Sequence, residues 1–232
     1  MISESQTAAQ RRRLYAHILP MGVFIAFLAV NNVLTNSSRS FWLEHATYWI
    51  YPLQTLACGA LLFAFRGSYS WHNPARILFT LAAALVVFFV WISPQQFFGV
   101  PARTDGFNPE SIAGGRSWLF WGSIGVRFLR LVVVVPILEE IFWRAFLLRY
   151  LIDENFERVS FGTFTWFSFI AVALAFCFSH QSADWPAALF TGVAYNLVAW
   201  RTRSLGSCIL AHATTNLLLG LWIMKTGQWG FW

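Results

Sequence analysis

The stretch Pro136-Ile137-Leu138-Glu139-Glu140-Ile141-Phe142-Trp143-Arg144 sets two carboxylates and a guanidinium inside an otherwise apolar run. Ionisable groups at such positions are expensive in lipid and mark function by default. On a helix, Glu140 and Arg144 are four apart and share a face, while Glu139 points about 100° away from Glu140. Glu140 is therefore expected to be neutralised by Arg144, which leaves Glu139 for another neighbour or a water-filled cavity. A wholly structural ion cluster is the plainer alternative. Phe176-Cys177-Phe178-Ser179-His180 closes a later apolar run with Phe176 and His180 on one face. His212-Ala213-Thr214-Thr215-Asn216 aims an imidazole and a carboxamide at one point by the same spacing. Taken singly, His180 reads as an interfacial or capping residue, and His212 with Asn216 as interhelical hydrogen bonding.

Combined, these groups suit the hydrolysis of an amide. A carboxylate in an apolar cavity is a better base than one in water. Glu139 can take the proton of a water, and His180 can share that proton and orient the water. His212 and Asn216 can donate to the oxygen that turns negative when the water attacks a carbonyl.

The elements that must position these residues are membrane helices. Of 232 residues, 57% are hydrophobic and 11% charged, whereas soluble domains carry about a quarter charged residues. The mean hydropathy is +0.55. Apolar segments fall at roughly 15–35, 47–65, 76–97, 128–151, 162–181, 185–201 and 206–225, each close to the ~20 residues needed to span. The expected architecture is an all-α polytopic transmembrane bundle of about seven spans, six to eight being possible, forming one domain over 1–232. Boundaries fall at Asn36-Ser37-Ser38-Arg39, at Arg66-Gly67-Ser68 and in the long loop from Pro101 to Arg116. Trp118 to Leu138 could also span, but it would bury Arg127, so a short interfacial stretch at Trp118–Gly125 and a span from Phe128 are expected.

Net charge is +6, and the basic residues sit mostly singly at the ends of apolar runs, which suits helix anchoring and does not suit nucleic-acid binding. Alternating spans with a cytoplasmic N-terminus collect more arginines inside than outside, Arg11, Arg12 and Arg13 among the former and Arg39 among the latter. Met1 to Arg13 resembles a signal-peptide start, but the apolar run after it lacks a clean cleavage site and reads as a retained first helix. Cys58, Cys177 and Cys208 are scattered through apolar segments and indicate neither a disulfide framework nor a metal site.

The three motifs, Glu139-Glu140 with Arg144, Phe176 with His180, and His212 with Asn216, resemble in order and spacing those of the CAAX protease and bacteriocin-processing intramembrane proteases. The resemblance covers roughly 127–221, including Ser204-Leu205-Gly206, and leaves 1–126 as an unmatched N-terminal transmembrane region. It implies a glutamate-dependent intramembrane endopeptidase without metal or cofactor. It also implies a membrane-associated protein or peptide as substrate, met in the lipid bilayer of a bacterial inner (cytoplasmic) membrane. By motif position, Glu139 is the general base with His180, and His212 with Asn216 form the oxyanion site. Glu140, Arg144 and Phe176 support them. Trp143 and Ala145 stand where many relatives have Phe and Gly.

Two other readings stay open at this stage. One is a zinc-dependent membrane protease with Glu139, His180 and His212 as ligands and Glu140 as base. The other is a non-enzymatic proton-linked transporter or membrane adaptor. Straight, equal spans would also set the two imidazoles about 12 Å apart in depth at 1.5 Å per residue, a gap the fold must accommodate.

Overall fold

The computed structural model describes residues 4–36 and 40–232, with side chains from residue 10 onward. The boundary expected at Ser37-Ser38-Arg39, and with it Arg39, lies outside the described residues. The described residues form helices joined by turns and loops, with no strand among them, so the all-α bundle expected from composition is what forms.

Seven helical stretches make the frame. They are α1 (Glu4–Asn36), α2 (Thr47–Ala64), α3 (Ile77–Phe97), α4 (117–150), α5 (Trp166–Phe178), α6 (Trp185–Thr202) and α7 (Leu205–Thr226). Three described helices, over Gln10–Asn36, Ile77–Phe97 and Leu205–Thr226, are long and apolar enough to cross a membrane. Together with the apolar composition they make this an integral membrane protein. Helix α1 packs on α2, α3 on α6 and α7, and α5 on α6, so α4 meets both halves of the bundle.

Local sequence explains the element ends. Thr165 Oγ1 accepts from Ser168 N at 3.2 Å to start α5, and Ser204 Oγ accepts from Ser207 N at 3.1 Å to start α7. Each satisfies an amide that the first helical turn leaves unpaired. Gly227, at φ +67°, ends α7 in the left-handed conformation that glycine adopts without strain. Gly192 of α6 lies so close to Ala173 of α5 that a Cβ there would sit 3.0 Å from the Ala173 Cα and O, which fixes how near these two helices approach. Pro20 lies inside α1 and has no N–H to give the carbonyl four residues back. That carbonyl, on Ala16, takes a 3.0 Å hydrogen bond from the Tyr69 hydroxyl instead.

Helix α4 differs from its expected form. It runs unbroken through α-helical Ser117–Phe128, Val135–Glu140 and Leu148–Tyr150, with π-helical Leu129–Val134 and Ile141–Leu147 between them. The helix does not break between Trp118–Gly125 and Phe128. The obstacle foreseen for a continuous helix was a buried Arg127, and aromatic packing removes it. The Arg127 guanidinium lies 4.8 Å from the ring centres of both Tyr51 and Phe107. Arg130, one turn on, lies 4.3 Å from Tyr51, and its Nε donates to Gln54 Oε1 at 2.8 Å. Both arginines thus face protein instead of lipid.

Candidate active site

The α-helical segment Val135–Glu140 carries both glutamates, and a π-helical segment flanks it on each side. Such wide turns recur at functional sites because they change which face the following residues present. Glu140 and Arg144 are fully buried and joined at 3.0 Å between Oε1 and Nη1, the pairing their spacing anticipates. The same Oε1 also meets His212 Nδ1 at 2.9 Å. That contact was not legible from spacing, since His212 belongs to α7. It ties the paired-glutamate helix directly to the His-Asn helix. The Arg144 guanidinium also lies 5.0 Å from the Phe176 ring and 5.5 Å from that of Tyr195.

Glu139 points elsewhere. It is partly buried, has no hydrogen bond to another described group, and lines a cavity of about 580 Å³. His180, His212 and Asn216 line the same cavity. The fold therefore brings all four proposed chemical groups to one space, from α4, the end of α5, and α7. No hydrogen bond or ring contact joins the two imidazoles, which meet the cavity at different points. His212 lies against Glu140, and the His180 ring is centred 5.8 Å from that of Trp91.

The hydrogen bonds assign roles to ring atoms. His180 Nδ1 lies 2.9 Å from the Phe176 carbonyl oxygen, an acceptor, so Nδ1–H donates there and Nε2 is the ring nitrogen left for the cavity. The Phe176 ring, centred 4.8 Å from that of His180, packs beside it. Asn216 Nδ2 donates to the Leu131 carbonyl at 2.7 Å. In an i to i+5 register that carbonyl would face Pro136, which has no N–H, so Asn216 supplies the missing donor and is itself held in place. Its second N–H remains for the cavity.

Residues the sequence did not single out complete the wall. The Tyr195 hydroxyl donates to Thr215 Oγ1 at 2.8 Å, and Thr215 donates on to the Ala84 carbonyl at 3.0 Å, which fastens α6 and α7 to α3. The Tyr195 ring is centred 5.4 Å from that of His212. Trp91 Nε1 donates to Thr191 Oγ1 at 2.9 Å, holding the indole beside His180. Thr215 could have been found by its helical phase, three residues after His212. Trp91 and Tyr195 carried no such signal.

The three proposed zinc ligands do not come together as a metal centre. Among the described residues no group of three His, Cys, Asp or Glu side chains could hold a metal ion, and one nitrogen of His212 already faces Glu140.

Comparisons with curated proteins and with solved structures each returned no match. Residues 121–218, the stretch that holds Glu139, Glu140, Arg144, Phe176, His180, His212 and Asn216, match the family model described as Rce1-like, type II CAAX prenyl endopeptidase Rce1-like, and over that stretch the chain is similar to that family.

Proposed function

We propose that this protein is an intramembrane endopeptidase that hydrolyses a peptide bond of a membrane-associated protein or peptide. The observation that carries the reading is Glu139, a carboxylate with no hydrogen-bond partner among the described residues, opening on one cavity with His180, His212 and Asn216. The match over 121–218 supports the same activity class.

In this reading a water sits between Glu139 and the His180 Nε2 lone pair. Glu139 takes one of its protons, and the oxygen bonds to the carbonyl carbon. The carbonyl oxygen becomes negative and receives hydrogen bonds from His212 Nε2–H and the free Asn216 N–H. His212 already donates from Nδ1 to Glu140, so it must carry both ring protons to donate from Nε2. Glu140, shared with Arg144, is the anion against which that imidazolium sits. The proton held by Glu139 then passes to the leaving nitrogen, and the C–N bond breaks to give a carboxyl group and an amine.

The seven helical stretches are taken as seven spans, with the N-terminus in the cytoplasm of a bacterial cell and the bundle in its inner membrane. The bias of arginines toward that side supports the orientation. A proton-linked transporter or adaptor accounts less well for a cavity that gathers a base and oxyanion donors.

The test is cleavage by the purified protein in lipid nanodiscs, read as new termini in a digest of co-reconstituted membrane proteins. Glu139→Gln is expected to abolish the new termini while the thermal unfolding profile stays that of the wild type. Cleavage retained by that variant overturns the mechanism.

A further inference from the structure

Beyond the last spanning helix the chain turns back over the cavity. Helix α7 ends at Gly227, and Trp229–Phe231 form a single tight turn. Phe231 and Trp232 line the cavity together with Glu139 and His180. This segment is seated on the loop that precedes α4. Gly230 N donates to the Arg103 carbonyl at 2.9 Å, and Arg103 N donates to Gln228 Oε1 at 3.4 Å. The Arg103 guanidinium lies 4.7 Å from the centre of the Phe231 ring and bonds Asp184 at 2.6 Å. Asp184 also lines the cavity, in the turn that carries His180. One arginine thus ties the segment after α7, the loop before α4 and the turn between α5 and α6 around one opening.

The seat is cut to fit. A Cβ on Gly106 would collide with the Trp229 carbonyl oxygen and lie 2.7 Å from the Gly230 Cα, and one on Gly230 would lie 2.6 Å from the Asp105 carbonyl oxygen. Neither glycine has a positive φ, so backbone conformation does not demand glycine at either place. The close approach does. The polar hold beside it is slight, two hydrogen bonds and one cation–π contact, each of modest net strength. Gly227, at φ +67°, supplies a hinge free of side-chain hindrance. Ser179 lines the cavity and is exposed, so the cavity already reaches the surface beside the turn that carries His180 and Asp184.

We propose that residues 228–232 form a strap that narrows the mouth of the cavity and lifts from Gly106 to admit bulky entrants. Seated, it sets by size what reaches Glu139. Small molecules pass beside Ser179, whereas an extended peptide needs the room that Phe231 and Trp232 take. Lifting about Gly227 carries both rings out of the cavity wall and parts Phe231 from Arg103. That the bulky entrant is a peptide rests on the peptidase reading, while the strap itself rests on its seat. Both halves of that seat, 103–106 and 228–230, lie outside the stretch 121–218 that matches the family model. The strap is therefore a feature of this chain's own flanking segments, laid over the site that the matched stretch builds.

The experiment uses the full chain in phosphatidylcholine nanodiscs, with Leu219→Cys at a cavity-lining position as a thiol reporter. Cys58, Cys177 and Cys208 are buried, so the protein without the reporter supplies the blank. N-ethylmaleimide, which is small, is expected to modify the reporter at the same rate with and without Gly106→Ala. Fluorescein maleimide is expected to react faster once Gly106→Ala unseats the strap. A strap seated in more than about 90% of the molecules predicts a gain of at least about tenfold. Equal rates of the bulky reagent in the two proteins overturn the proposal. Hydrogen exchange on the wild-type protein tests it without any variant. The amides of 228–232 are expected to exchange at least about a hundredfold faster than those in the middle of α7. Exchange as slow as in α7 would show that the strap opens only when the bundle unfolds, and would equally overturn it. Where Gly106→Ala exposes the native cysteines to the small reagent, the variant has lost its fold and the exchange result decides alone. No cleavage is read, so a failed strap leaves the Glu139→Gln test standing, and cleavage retained in that variant leaves the strap standing.

Discussion

Replacing Arg144 with leucine removes one of the two partners of a carboxylate that no solvent reaches. Glu140 and Arg144 are both fully buried, and the remaining contact of Glu140 is His212 Nδ1 at 2.9 Å. Breaking a buried ion pair by deleting one member costs about 3–5 kcal/mol, because the other charge is left uncompensated. His212 moderates the loss in Arg144→Leu, so about 3 kcal/mol is expected there. Glu140→Leu leaves the guanidinium with no carboxylate and falls at the upper end of that range, about 5 kcal/mol. The double variant strands neither member of the Glu140–Arg144 pair. Its expected cost is about 1–3 kcal/mol, mainly the unpaired His212 nitrogen. The coupling between the two sites is then about 5 kcal/mol or more. Reversible unfolding in mixed micelles, titrated with dodecyl sulfate, measures all four proteins on one scale. Single-variant losses that add to within about 0.5 kcal/mol would show that the pair is not coupled, and would refute the view that each group is tolerated in the bundle only because of the other.

The oxyanion role of Asn216 predicts that Asn216→Ala lowers kcat by about 10²–10³ with little change in KM. A loss confined to KM, measured on any substrate found by terminus mapping, would remove Asn216 from the reaction. Tyr69→Phe deletes the hydroxyl donor that replaces the N–H missing at Pro20. It should destabilise the protein by about 1–3 kcal/mol in the same micelle titration without altering cleavage by the protein that remains folded. An unchanged midpoint would mean that the Ala16 carbonyl finds another partner.

Much of the frame was legible because lipid imposes a simple rule on sequence: a spanning segment must be apolar and of a set length. Helices α2, α3, α6 and α7 begin and end within a residue or so of the apolar segments read from the chain. The continuity of α4 through Arg127 was not legible, because the cost of a buried arginine depends on neighbours far away in sequence, Tyr51 and Phe107. The i,i+4 rule found Glu140 with Arg144, which belong to one helix. It was silent on Glu140 with His212, separated by 72 residues, because no local periodicity reports which helices adjoin. Nor does apolar patterning reveal π-helical turns, which are set by hydrogen-bond register and by Pro136.

A π turn is in effect an α-helix with one residue more than it needs. Each residue of an α-helix advances the next by about 100° around the axis. Closing Leu129–Val134 into ordinary α-helix with every residue kept would swing everything after it by that angle relative to Arg127. Glu139 would leave the cavity, and the face carrying Glu140 and Arg144 would no longer meet His212. The wide turn is thus a phase setting in the chain. It allows the part of α4 that carries the arginines and the part that carries the glutamates to face one space, and a return to the α-helical hydrogen-bond register would undo that alignment while every residue remained in the sequence.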